Sequence, residues 1–190
     1  MSPWIRLLRP KQWVKNGFVF APLFFSGRFT DVASWQLAVI AAICFCAIAS
    51  MVYITNDIRD VEEDRLHPVK KNRPLAAGAM KLGAAYILAF ICGMLAVVIL
   101  YGLPTQCAVI AILYVSANAL YTYVLKRIAI IDIFFVAFCY VLRVLMGAYA
   151  LQVMVSPWII LATFTLALFL GFGKRYNEMG IANYAAHKPN

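Results

Sequence analysis

Residues 33–64 read ASWQLAVIAAICFCAIASMVYITNDIRDVEED: a long apolar run from Trp35 to Tyr53 that meets a dense patch of acid. Five of the chain's eight carboxylates fall between Asp57 and Asp64. An apolar run of this length spans a bilayer as a helix, and acids crowded at its end belong at the membrane edge. If the helix continues through the acids, about 100° per residue places Asp57, Asp60 and Asp64 within roughly 60° of one another. Asn56 and Glu63 flank that stripe, while Arg59 and Glu62 point elsewhere. Three carboxylates and an amide on one face suit a hard cation such as Mg²⁺, which takes oxygen ligands and brings phosphate oxygens with it. The plainer reading is a solvated helix end that also caps a turn.

Working outward, the composition fits a membrane. Hydrophobic residues make up 64% of the 190 and charged residues only 13%, against about 25% charged in a soluble domain. Apolar windows recur at 14–27, 33–56, 82–101, 105–125, 129–150 and 155–173, giving an expectation of six transmembrane helices in an all-α bundle. The first window is interrupted by Lys15 and Pro22. No apolar core ending in a small-residue cleavage site opens the chain, so no removable signal peptide is expected.

The net charge of +9 invites a nucleic-acid reading, which the placement of the cations excludes. Fifteen of 17 Lys and Arg lie in alternate connections: Arg6 to Lys15, Arg59 to Lys81, Lys126-Arg127, and Lys174 to Lys188. That is the positive-inside pattern, and it puts both termini and the acidic patch on the cytoplasmic face of the inner membrane. Cations there also favour anionic lipids and phosphate-bearing substrates. The five cysteines lie in or at the ends of apolar windows without CxxC spacing and read as small core residues. His67 and His187 lack zinc-site spacing and read as loop residues.

The connection 57–81 continues from the acids through Arg65-Leu66-His67-Pro68-Val69-Lys70-Lys71-Asn72-Arg73-Pro74. Its two prolines end helical runs and Gly78 supplies a turn, so Lys70, Lys71 and Arg73 can fold back towards the carboxylates. Acid-bound metal beside cations is what a diphosphate requires, although the same cations also serve as membrane anchors. In the fifth window, Asp132 lies near the interface and Arg143 roughly 16 Å deeper. A buried Arg needs a partner or a polar cavity, so it marks a functional position. Asn118 and Tyr121 are weaker signals. Lys174 and Glu178, spaced i,i+4 around Arg175, form a second charged cluster on the same membrane face.

With those residues assembled, the chain resembles the UbiA superfamily of intramembrane prenyltransferases. The motif N-D-x-x-D-x-x-x-D, here Asn56, Asp57, Asp60 and Asp64, carries the resemblance. Within the superfamily, the likeness is to members that transfer phosphoribosyl groups. It rests on Leu8 to Asn16, Asp57 to Pro74, Asp132, Arg143 with Gly147, Lys174-Arg175 with Glu178, and His187-Lys188-Pro189. The resemblance implies a single domain over 1–190 with about six of the fold's nine helices, lacking the C-terminal ones. It implies a cavity open to the cytoplasm and laterally to lipid.

The activity it implies is Mg²⁺-dependent transfer of 5-phosphoribosyl from phosphoribosyl diphosphate to a polyprenyl phosphate, releasing diphosphate. Asp57, Asp60 and Asp64, with Asn56, would hold Mg²⁺ at the catalytic centre, and Lys71 and Arg73 would neutralise the departing diphosphate. Lys174 and Arg175, beside Glu178, would take a phosphate of donor or acceptor. Lys15 and Arg143 would line the cavity, and Asp132 would accept from a ribose hydroxyl. Aromatic-acceptor members carry a second aspartate-rich motif after the sixth span, where this chain has Lys174, Arg175 and Glu178. The nearest rival is a polyprenyl diphosphate transferase with an aromatic acceptor. A rival of another class is a non-catalytic membrane protein or divalent-cation carrier, which would place its acids nearer mid-membrane. A homo-oligomer is compatible with any of these.

Overall fold

The computed structural model describes the backbone of residues 2–123 and 129–186, and the side chains within those ranges except 129, 130, 174 and 178–186. Every regular element among them is helical. Two short helices, α1 (Pro3–Leu8) and α2 (Pro10–Trp13), lead into a 3₁₀ stretch at Val14–Phe20 and α3 (Ala21–Phe25). The long helix α4 (Val32–Arg59) follows, then α5 (Val61–Leu66), α6 (Leu82–Tyr101), α7 (Thr105–Tyr123), α8 (Ala129–Ala150) and α9 (Pro157–Ala186).

Five of these are long and apolar enough to cross a membrane: α4, α6, α7, α8 and α9. The chain is an integral membrane protein. Four of the expected windows coincide with helices to within a few residues, and α9 runs beyond the window 155–173. The window 14–27 is the exception, being built from 3₁₀ and α pieces instead of one regular helix. Pro22 has no N–H to give and sits in the first turn of α3, so the ladder restarts there. Because the 3₁₀ rise is near 2.0 Å per residue, Pro10–Phe25 still contains about 28 Å of rise, close to a hydrocarbon thickness.

The long central helix α4 organises the bundle. Its N-cap Asp31 accepts from the backbone N–H of Ala33 (3.3 Å) and Ser34 (2.9 Å) and from the Ser34 hydroxyl (2.6 Å). Lipid tails are as apolar as side chains, so membrane helices associate where small residues allow close backbone approach. Helix α4 buries Ala38, Ala41, Cys44, Ala47 and Ala49, and α6 buries Ala85, Ala89, Cys92 and Ala96 at helical spacing. Cys44 Sγ reaches the Ala96 carbonyl at 3.7 Å across this seam. Phe45, Ile48, Tyr114, Leu142 and Met146 fill the centre between α4, α7 and α8.

The 3₁₀ stretch packs on α8 at one tight point. A Cβ on Gly147 would lie 1.9 Å from the Val19 carbonyl oxygen, so only glycine permits the approach. All five cysteines are free, four of them buried, in keeping with a packing role.

Candidate functional site

At 28 residues, α4 is about 42 Å long and outruns a hydrocarbon core of about 30 Å. Its last turns therefore carry Asn56 and Asp57 beyond the apolar slab. Acids at a helix C-terminus oppose the macrodipole, so Asp57 needs cations near it. The helix breaks at Asp60 (φ −88°, ψ 10°), so the condition of one helix running on through the acids is not met. The Asp60 N–H still reaches the Asn56 carbonyl (2.9 Å), and the Asp64 N–H reaches the Asp60 carbonyl (2.8 Å). The acids thus stay near one side despite the break, and Glu62, Glu63 and Asp64 fall in the favoured first turn of α5.

Cations complete this end of the site. Arg73 Nη1 donates to Asp57 Oδ1 at 3.1 Å and to Asp64 Oδ2 at 2.6 Å, bridging the two acids. Arg9 Nη2 pairs with the same Asp57 oxygen, and its guanidinium lies 5.3 Å from the Tyr53 ring centroid. Asp57 and Asp64 are themselves buried. Arg9 occupies the left-handed region (φ 55°, ψ 56°) between α1 and α2, a conformation that side chains other than glycine rarely adopt.

A cavity of about 360 Å³ opens beside this cluster. Asn56, Asp57, Asp60 and Arg73 line it, together with Lys15, Asp132 and Arg143, and so do Lys70, Asn118 and Tyr121, so ten of the residues noted from sequence meet in one hollow. Asp64 stands behind the wall, joined to it through Arg73. Lys70 faces the cavity, whereas Lys71 is exposed and absent from its lining. Asn56 Oδ1 accepts from the Thr122 hydroxyl at 3.0 Å, which ties α4 to α7. His67 Nδ1 accepts from the backbone N–H of Val69 and Lys70, a turn-shaping role.

The inner end is built differently. Arg143, 3% exposed, donates from Nε to Asn16 Oδ1 (2.9 Å), from Nη1 to the Cys139 carbonyl (2.6 Å) and from Nη2 to the Tyr114 hydroxyl (3.3 Å). Its guanidinium also lies within 5.1–5.5 Å of the centroids of the Phe45, Tyr114 and Tyr140 rings. No carboxylate among the described residues pairs with it. On the α8–α9 side, Asp132 accepts from the Tyr121 hydroxyl and from Arg175 Nη1 at 3.5 Å. Arg175 is thereby attached to the cavity wall. The side chains of Lys174 and Glu178 lie outside the described residues.

The donor set fits a hard divalent cation in kind, since carboxylates and an amide are oxygen ligands suited to Mg²⁺. Among the described residues, however, no three acids, histidines or cysteines gather closely enough to hold a metal. Between Asp57 and Asp64 the bridging cation is the Arg73 guanidinium. The chemistry this arrangement supports is binding of an anion, with carboxylates and cations alternating around a polar hollow.

Arg9, Tyr53, Tyr114 and Tyr140 line the cavity without having been singled out for it from sequence. Arg9 had a signal in the Arg9-Pro10 pair at the head of the first apolar window. The tyrosines had none, since tyrosine is common near interfaces.

Residues 18–187 match the profile of the UbiA prenyltransferase family. The decaprenyl-phosphate phosphoribosyltransferase of Mycolicibacterium smegmatis is 36% identical over 194 residues, covering 99% of this chain and 60% of that protein. Its namesake from Corynebacterium glutamicum is 37% identical over 183 residues, covering 92% and 54%. The fold also matches a UbiA homologue from Archaeoglobus fulgidus, solved with DMAPP and Mg²⁺. That match has a TM-score of 0.72 at 22% identity over 88% of this chain and 60% of that one. The chain therefore spans at most about 60% of the length of these relatives.

Proposed function

Because the chain belongs to the UbiA prenyltransferase family, we propose that it serves the transfer of a 5-phosphoribosyl group from phosphoribosyl diphosphate to a polyprenyl phosphate, with release of diphosphate. The observation that carries this reading is the cavity, where five cations (Arg9, Lys15, Lys70, Arg73 and Arg143) face three carboxylates inside an apolar bundle. The excess of positive charge suits a donor that bears a 5-phosphate as well as a diphosphate. The activity for which the Mycolicibacterium smegmatis and Corynebacterium glutamicum relatives are named supports the same substrate class.

Asn56, Asp57, Asp60 and Asp64 would hold Mg²⁺. When bound, the ion neutralises diphosphate charge and orients the leaving group. Arg73 and Arg9, held here by the carboxylates, would bind the diphosphate oxygens, and Lys70, rather than Lys71, would join them. These cations stabilise the charge that develops as the bond from the anomeric carbon to the diphosphate oxygen breaks with its electron pair. The acceptor's phosphate oxygen forms the new bond to that carbon, and being already anionic it requires no strong general base. Asp132 keeps acceptor capacity beyond its bonds to Tyr121 and Arg175 for a ribose hydroxyl. Lys15 and Arg143 supply positive potential at the inner end, and Lys174 and Arg175, beside Glu178, serve a phosphate from the α9 side. The cavity and both termini face the cytoplasm, in the inner membrane.

The chain reconstituted in nanodiscs with Mg²⁺ tests this. Phosphoribosyl diphosphate should raise its melting temperature, and labelled donor with polyprenyl phosphate should yield labelled lipid. Stabilisation by a polyprenyl diphosphate alone, with label passing to an aromatic acceptor, would replace this reading with prenyl transfer.

A further inference from the structure

A second hollow, of about 470 Å³, lies on the other side of the Arg9–Arg73 pair. Arg6, Arg9, Pro10, Lys11, Gln12 and Arg73 line it, four cations and no acid. Asp57, which lines the cavity, already holds Arg9 and Arg73, and Asp64 behind its wall also holds Arg73. Arg6 Nη2 donates to the Asn72 carbonyl at 2.8 Å, which stitches α1 to the loop after α5. The exposed Lys11 completes the positive rim.

The surroundings of this groove are apolar yet uncovered. Leu7 is buried against Ile54 and Leu75, which fixes α1 to the bundle. On the same short helix Trp4 and Ile5 face outward, and across the Arg6–Asn72 tie Leu66 is 90% and Val69 73% exposed. The groove sits at the end of the bundle where α4 finishes and α6 begins, so these side chains lie where the membrane helices emerge. Outward apolar groups interleaved with Arg and Lys at that level are the pattern of a segment seated in the headgroup region. A soluble anion would explain the cations but not the exposed Leu66 and Trp4.

We infer that this groove is a binding site for the phosphate headgroup of an anionic membrane lipid, with α1 and the 66–72 loop as a collar against its acyl chains. The site is separate from the cavity but shares Arg9 and Arg73 as a common wall.

Native mass spectrometry of the whole chain, released from phosphatidylcholine nanodiscs containing a minor fraction of phosphatidic acid, reads the bound lipid directly. Phosphatidic acid should be retained in preference to phosphatidylcholine. Arg6→Gln and Lys11→Gln should each weaken that retention about fivefold. Lys11→Gln removes no hydrogen bond from the fold, so it separates lost binding from lost folding. Binding of phosphoribosyl diphosphate should be unchanged in it, which keeps this site distinct from the proposed donor site. Phosphatidic acid retention unchanged in Lys11→Gln would overturn the inference. So would affinity for inorganic diphosphate in detergent that falls in Lys11→Gln while lipid retention does not.

Discussion

The two ends of the cavity solve the problem of charge near a membrane in opposite ways. At the mouth, Asp57 and Asp64 meet Arg9 and Arg73, so each charge has an opposite charge within contact distance. At the floor, Arg143 has only neutral partners among the described residues: an amide oxygen, a carbonyl, a hydroxyl and three ring faces. Ion pairs of the first kind can be exchanged one for one, each partner passing to an incoming group of opposite charge. A lone cation held by fixed dipoles cannot be exchanged in that way. It keeps its positive potential.

The floor breaks most readily from behind. Gly147 lets α8 touch the Val19 backbone, and Asn16, three residues before Val19, holds Arg143. Gly147→Ala must push the 3₁₀ stretch away, with an overpacking penalty of about 3 kcal/mol. Denaturant unfolding in micelles should show that loss together with loss of donor binding. A melting temperature equal to the parent's would mean that the close approach is not a constraint.

The mouth should respond next. Asp57→Asn keeps the shape but strips Arg9 of its carboxylate and Arg73 of one of two. Both arginines are a quarter or more exposed, so the cost falls to about 2 kcal/mol rather than the 3–5 of a fully buried pair. Removing one carboxylate of the proposed Mg²⁺ set should also reduce Mg²⁺-dependent donor affinity by about a hundredfold. Retained affinity in titration calorimetry would disconnect the acids from the donor.

Arg143→Met asks less of the fold, because the partners it abandons are neutral. The orphaned Asn16 and Tyr114 groups cost about 1–2 kcal/mol, and binding of phosphorylated ligands should weaken about tenfold. A stability loss with unchanged ligand affinity would make Arg143 a structural hub alone. The contrast with Asp57→Asn is the useful quantity, since raised salt should screen the part-exposed mouth and leave the buried floor unaffected.

What sequence could disclose follows the same division. The windows 33–56, 82–101 and 129–150 were legible because hydropathy is a property of each residue alone. The window 14–27 was legible as apolar and interrupted at Pro22, but its 3₁₀ geometry and its fit to Gly147 are properties of neighbours. The fold-back of Arg73 could be anticipated from Pro68, Pro74 and Gly78, whose φ of 69° meets the expected turn. Whether Lys70 or Lys71 faces inward depends on one residue of register in a short 3₁₀ turn, Lys70–Asn72, and composition is blind to that. The break at Asp60 leaves no mark in sequence either, because the hydrogen bonds on both sides of it keep the i→i−4 pattern. Arg9 was hidden by its plainest role, since a cation before a proline at a membrane edge reads first as an anchor.

The smallest effect belongs to an acid at the far end of α4 that has neither arrangement. Asp31 is held mainly by the Ser34 hydroxyl, then by the Ser34 and Ala33 N–H groups, with Arg28 adding a weaker attraction. Together these hold its carboxyl below the ordinary 3.8. A carboxylate with a depressed folded pKa adds stability that is complete above its unfolded value and fades as pH falls through the folded one. The cap's contribution should therefore be flat from neutrality down to about pH 4 and decline below that. Asp31→Asn keeps a good cap without the titration, so it should be nearly as stable at pH 7 and lack this part of the acid decline. Parallel acid curves for the two proteins would show that the Asp31 charge is immaterial to the cap.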